Sequence, residues 1–195
     1  MSLSFLKPLP DYLVQRYHGW KATTFENNKS WYFKLAEDGQ HPRAMIISCC
    51  DSRVHVTSIF GSDAGEFFIH RNIANLVPPF KKDQDYHGTS AAIEYAVKTL
   101  KIPHIVVLGH STCGGVETSF DYFSGNNPDL YEDSNFVTSW LEILRPSFNK
   151  IPKELSLKNK IKSLEKQTVL TSIENLVTFP FISNALKNET ISLHG

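Results

Sequence analysis

Three short apolar runs constrain the fold more than any other feature of the chain. Ala44-Met45-Ile46-Ile47-Ser48-Cys49-Cys50 follows Pro42 without polar alternation, Glu66-Phe67-Phe68-Ile69-His70 is a second such run, and His104-Ile105-Val106-Val107-Leu108-Gly109 is a third. A strand wetted on one face alternates apolar and polar residues, whereas one buried on both faces of a parallel sheet does not. Between the second and third runs, within Ser90 to Leu100, the residues Ile93, Ala96, Val97 and Leu100 recur at the spacing of one helix face. The pattern predicts a βαβ unit, and so an α/β fold with a central, mostly parallel sheet flanked by helices. Ligands of such sheets collect beyond the carboxyl ends of the strands. Cys49 and Cys50 close the first run, and His110 and Cys113 follow the third, so residues about sixty apart in sequence can meet on one rim.

At 195 residues the chain is long enough to bury a core as one domain without disulfide staples. A single α/β domain over 1–195 is therefore expected, in three parts. Residues 1–35 carry scattered aromatics (Tyr12, Tyr17, Trp20, Phe25, Trp31, Tyr32, Phe33) and read as an N-terminal helical arm. Residues 44–115 hold the strands and the cysteine and histidine rim. Residues 116–195 are helical in character, with one apolar stripe of Phe136, Val137, Trp140, Leu141 and Leu144 and a second of Val169, Ile173, Leu176 and Val177. The lysine-rich piece from Lys150 to Lys166 also contains Glu154 and Glu165, and reads as a solvated helix face rather than a basic patch.

Charge and cysteine content narrow the function classes. Twenty Lys and Arg balance twenty Asp and Glu, so no global field draws the chain to nucleic acid or to an anionic membrane. No apolar stretch approaches the ~20 residues of a membrane helix, and Met1 to Leu13 lacks the order of a secretory signal, so a cytoplasmic protein is expected. Three cysteines, an odd number, argue against a disulfide framework and towards metal or thiol chemistry.

Cys49, His110 and Cys113 offer two thiolates and an imidazole, the donors zinc prefers, with His110-x-x-Cys113 closely spaced at a strand-to-helix junction. Gly114-Gly115 opens the following helix, whose free N–H groups favour thiolate over thiol. Three ligands imply an open site. The residues alone also accommodate three buried small thiols and a core histidine bonded to backbone.

Cys49-Cys50-Asp51-Ser52-Arg53, His70-Arg71-Asn72-Ile73-Ala74-Asn75 and Gly109-His110-Ser111-Thr112-Cys113-Gly114-Gly115 resemble the three signature blocks of the β-class carbonic anhydrases. The order and spacing hold from about Gln40 to Gly115, and the helical C-terminal third is similar too. The resemblance implies one Zn²⁺ per chain on Cys49, His110 and Cys113, with Asp51 and Arg53 as a catalytic dyad. Asp51 would accept a hydrogen bond from zinc-bound hydroxide, and Arg53 would keep the carboxylate off the metal. When that pair breaks, Asp51 becomes a conditional fourth ligand that closes the site. Read without the family, Asp51 and Arg53 are a solvated pair after a strand.

The family has two subtypes. The plant-like, open type carries a glutamine nine residues before the first cysteine ligand, where Gln40 stands, and the bicarbonate-inhibited type a tryptophan three residues before it, where this chain has Ile46. The resemblance is thus to the open type, with an apolar substrate pocket at Phe68, Ile73 and Tyr95, a donor in Gln40, and the Gly114 N–H as a contact for hydroxide or bicarbonate. Without the family, Gln40 is only a residue of a Gly39-Gln40-His41-Pro42 turn.

The implied reaction is the reversible, zinc-dependent hydration of carbon dioxide to bicarbonate and a proton by zinc-bound hydroxide. Two thiolates donate more charge than histidines, so activity is expected to rise through the alkaline range. Cys50, where many relatives have serine, is expected to be a buried spectator thiol. Relatives usually continue past Leu193-His194-Gly195 into a further edge strand, so the C-terminal part is expected to be truncated beside theirs. Partners are expected to be carbon dioxide and bicarbonate, with no nucleic acid or membrane, and a homodimer or tetramer whose pocket is shared between subunits. The competing readings are hydrolysis of carbonyl sulfide or carbon disulfide at the same zinc, a structural zinc module closed by Asp51, and thiol redox chemistry, which the lack of a Cys-x-x-Cys pair disfavours.

Overall fold

The computed structural model describes residues 6–82, 87–126 and 135–195. Met1 to Phe5, part of the segment read for a secretory signal, lie outside the described residues. The chain divides into two compact units, Met1–Gln40 and His41–Gly195.

The first unit is helical over its described elements. Helix α1 (Asp11–Trp20) continues into a π-helical turn over Lys21–Phe25, and α2 (Lys29–Asp38) ends at Gly39, whose φ of +77° ends the helix where other residues would be strained. None of these helical residues is buried, and the unit is held by ring pairs such as Trp20–Tyr32 at 5.8 Å and Phe25–Phe33 at 6.4 Å.

The second unit is built on four parallel strands in the order β2-β1-β3-β4: β1 (Ala44–Cys49), β2 (Phe67–Asn72), β3 (His104–Leu108) and β4 (Ser192–His194). Helix α3 (Val56–Phe60) joins β1 to β2. Helix α4 (Gly88–Glu94), with a π-helical turn over Tyr95–Thr99, carries the chain from β2 across β1 to β3. From β3 the chain passes through α5 (Gly114–Phe123), α6 (Phe136–Leu141), α7 (Arg145–Phe148), α8 (Leu157–Val177) and α9 (Pro180–Lys187) before β4.

One sheet face packs Met45, Ile47, Ile105 and Val107 against Ile93 and Ala96 of the α4 segment, Leu176 of α8 and Ile182 of α9. The other places Ala44 and Ile46 against Val56. A third cluster lies beyond the strand ends, where Cys49 and Cys113 are embedded among Ala74, Leu76, Val116, Leu141, Leu144 and Leu164. No helix among the described residues is long and apolar enough to cross a membrane.

Several expectations need correction. Only β1 is buried along its whole length; β2 is half-exposed and β3 alternates, because β2 lies at a sheet edge and covers one side of β1 without being covered itself. Glu66 and Gly109 fall outside the strands, and β2 runs on to Asn72. The C-terminal part is helical up to Lys187 but also contributes β4 to the sheet. Phe136 and Val177, placed on apolar stripes, are 81% and 45% exposed: each stands at a helix end, where the stripe runs off the packed surface.

Candidate metal centre

Strand β1 delivers Cys49 to the rim with its side chain inward, and the loop after β3 brings His110 and Cys113 to the same place. One ligand atom from each of the three lies within 4.8 Å of the others. All three cysteines of the chain are free thiols, and the sulfurs of Cys49 and Cys113 stand 3.8 Å apart, far beyond the ~2.05 Å of a disulfide bond. Two sulfurs each ~2.3 Å from one tetrahedral zinc ion stand about 3.8 Å apart, so the pair is already at the spacing the metal needs. His110 completes the donor set. Its Nδ1 faces the Ser111 carbonyl at 3.0 Å, a contact that requires the proton on Nδ1, and Nε2 is left buried with no hydrogen-bond partner. A buried imidazole nitrogen without a partner is costly unless a ligand takes its lone pair.

The electrostatics favour a cation. The Cys49 thiol is pulled down by a hydrogen bond from Cys113, against its own burial, and is helped by the Asp51 N–H at 3.4 Å. The Cys113 thiol is pushed up by the same contact and by burial, although the Val116 and Gly115 N–H groups at the start of α5 pull the other way. Two thiols at this distance thus share one proton when no cation is present, and a divalent cation allows both to be thiolates. Gly115 makes this junction compact, since a Cβ there would lie 2.7 Å from the Ile73 Cγ2 atom.

Asp51 stands outside the ligand cluster. Arg53 holds both of its oxygens, through Nε to Oδ1 at 2.9 Å and Nη2 to Oδ2 at 2.6 Å, and the Arg53 N–H adds a bond to Oδ1 at 2.9 Å. These bonds keep the Asp51 carboxyl well below the usual carboxylate range, hydrogen bonding to Arg53 being the largest cause, and they raise the Arg53 guanidinium in turn. Arg71 fixes the same turn from beneath, donating Nε to the Cys49 carbonyl at 2.9 Å and Nη2 to the Asp51 carbonyl at 2.7 Å. Glu165 of α8 accepts from the Cys113 N–H at 3.3 Å. No sequence signal assigned these two residues, because their partners are backbone groups 20 to 52 positions away.

The chain is 34% identical over 178 residues to beta carbonic anhydrase 3 of Arabidopsis thaliana, covering 90% of this chain and 67% of that protein. The carbonic anhydrase family profile matches residues 44–195, which include all three ligands and the dyad. The chain belongs to the β-class carbonic anhydrases. Among solved structures, the β-carbonic anhydrase CcaA superposes with a TM-score of 0.84 at 31% identity, covering 94% of this chain and 80% of that one. A tetrameric β-carbonic anhydrase of the ascomycete Sordaria macrospora gives a TM-score of 0.74, also at 31% identity, covering 95% and 89%.

The remaining residues expected of a β-carbonic anhydrase site are placed as follows. Ile73, 41% exposed, lines a cleft of about 550 Å³ with Cys50, His70, Asn72, Thr89 and Trp140. Its carbonyl accepts from Trp140 Nε1 at 2.8 Å. Phe68 and Tyr95 pack on one another as a tilted pair, with centroids 5.9 Å apart, and do not line that cleft. Gly114 opens α5 and is exposed. Gln40 is exposed at the end of the first unit, and Ile46 is 1% exposed inside β1. Cys50 corrects an expectation: it is exposed, not a buried spectator, because β1 ends at Cys49 and the next residue turns to the opposite side.

Proposed function

We propose that Cys49, His110 and Cys113 hold one zinc ion at a site open to substrate, and that this site carries the reversible hydration of carbon dioxide to bicarbonate and a proton. The observation that carries the reading is the buried His110 Nε2, without a hydrogen-bond partner, in a cluster with two thiols at zinc spacing that holds three ligands among the described residues. Zinc bound there would supply a Lewis acid that makes water more acidic and so provides a hydroxide nucleophile.

The chain's own residues do the rest. Asp51, ionised and clamped by Arg53, would accept a hydrogen bond from the nucleophile and so fix its orientation. Arg53 keeps Asp51 from moving onto the metal. Carbon dioxide has no charge and few polar handles, so apolar walls suit it, and Ile73 supplies one beside the rim. In the plant-like, open subtype the positions of Phe68 and Tyr95 belong to the substrate pocket, and the exposed Gly114 N–H at the start of α5 would meet the oxyanion. Gln40 and the aliphatic Ile46 support that subtype. The chain assembles as a dimer or tetramer, which fits the tetrameric Sordaria relative and a Phe68–Tyr95 pair that stands apart from the cleft. A reducing, cytoplasmic compartment suits two cysteines that must remain thiolates.

Turnover of carbon dioxide is to be compared with hydrolysis of carbonyl sulfide on the same zinc-loaded preparation. The reading predicts rapid hydration that is lost on chelation and restored by zinc. Faster turnover of carbonyl sulfide would replace it with the hydrolase reading, and zinc without turnover on either substrate would make the metal structural.

A further inference from the structure

Thr112 lies between the ligands His110 and Cys113, and the roles assigned above make no use of it. Its φ is +52°, in the left-handed region that a β-branched residue enters only when its surroundings enforce it. The hydrogen bonds show what that conformation secures. Thr112 Oγ1 donates to the Ser111 carbonyl at 2.8 Å, the oxygen that also accepts from His110 Nδ1 at 3.0 Å. With its one proton committed there, Oγ1 accepts from Arg53 Nη1 at 3.0 Å, and the Thr112 carbonyl accepts from Arg53 Nη2 at 2.7 Å. One hydrogen-bonded path therefore runs from the ring of a metal ligand through Ser111 O, Thr112 Oγ1 and Arg53 to the carboxylate of Asp51.

Arg53 needs such an anchor. Its side chain is 60% exposed while that of Asp51 is 15% exposed, and an ion pair reaching so far into water holds its geometry weakly by itself. The guanidinium is instead fixed on two sides, by the carboxylate and by Thr112, which leaves its plane little freedom. A glycine would adopt φ +52° without strain, but it has no hydroxyl to offer.

We propose that Thr112 is a positioning residue whose hydroxyl holds Arg53 on Asp51 and so biases the centre towards its open state. The proposal rests on the reading that the Arg53–Asp51 pair keeps the carboxylate off the metal. Thr112 is not one of the three metal ligands, and its hydroxyl reaches the Asp51 carboxylate through Arg53. Losing the hydroxyl removes one of the two bonds to Thr112, lets Arg53 swing into water, and frees Asp51 to take the fourth position.

The test uses the full chain. Thr112→Val keeps the shape and the β-branch and deletes only the hydroxyl, and Thr112→Ser keeps the hydroxyl. On zinc-loaded protein, Thr112→Val is expected to lower kcat/KM for carbon dioxide by about tenfold, the scale of one hydrogen bond to a charged group, with Thr112→Ser recovering to within about threefold of the parent. A second readout needs no turnover. In cobalt-substituted protein, azide titrated into the parent changes the visible spectrum by entering an open position, and Thr112→Val is expected to show a weaker response. Should Thr112→Val fail to fold, Thr112→Ala makes the same deletion. Equal losses in the Val and Ser variants, or a Val variant matching the parent in both readouts, would overturn the proposal and leave the dyad reading intact. A parent that binds cobalt and ignores azide would overturn both.

Discussion

His110 and Asp51 are each made ready by a neighbour that occupies their other polar atoms. The Ser111 carbonyl engages His110 Nδ1, so Nε2 is the nitrogen left for the metal. Arg53 engages both Asp51 oxygens and holds the carboxyl below its ordinary range. The sign of that shift matters for the pH profile. A carboxyl with a lowered pKa is ionised at every pH above its ordinary value, and its pairing is lost only as pH falls through the lowered value. A decline in activity between roughly pH 9 and 6.5 therefore reports the zinc site's nucleophile, not Asp51, because two thiolates leave the ion less able to acidify water than three histidines do. Asp51→Ala is expected to retain one zinc per chain while kcat/KM for carbon dioxide falls roughly a hundredfold, the scale of a positioned proton acceptor. Loss of zinc in that variant would make Asp51 a ligand instead.

At the scale of elements, the site depends on a loop bolted to a helix. After β2 the backbone passes through Ala74 and Asn75, both at positive φ, and is caught by α8. Ser172 Oγ donates to the Asn75 carbonyl at 2.9 Å and accepts from the Val77 N–H at 3.1 Å, both buried, and Asn175 Nδ2 donates to the Val77 carbonyl at 2.8 Å. Ser172→Ala leaves two buried backbone groups unpaired and is expected to cost about 2 kcal/mol in urea unfolding. An unchanged midpoint would show that water replaces the hydroxyl. None of this was legible beforehand, since hydrogen bonds that span 95 and 97 residues leave no periodicity in the chain. What was legible followed from period and from ligand chemistry: the apolar run ending in Cys49, the stripe of Ile93 and Ala96, and His110-x-x-Cys113 before two glycines. Strand β4 escaped notice because three residues with one half-buried leucine become a strand only through the edge that β3 offers them. At Cys50 the alternation that turns it away from Cys49 outweighs its small apolar character and leaves it exposed.

For the whole molecule, the second unit presents exposed apolar residues, among them Ile59, Phe60, Ile69 and Tyr95 at 54%, 48%, 38% and 45% exposure, which the proposed assembly would cover. The first unit adds Trp20 and Trp31 at 40% and 41%. With a formal charge of zero, no long-range repulsion opposes self-association. Light scattering on the purified chain is expected to give the mass of at least a dimer, and a fully active monomer would end the idea of a pocket shared between subunits. Every role above depends on Cys49, His110 and Cys113 forming a zinc centre that hydrates carbon dioxide. Its most direct test is zinc content and stopped-flow carbon dioxide hydration measured on one preparation at pH 7 and at pH 8.5. One zinc per chain with turnover higher at pH 8.5 is expected; one zinc per chain with no turnover at either pH would make the metal structural and end the carbon dioxide reading.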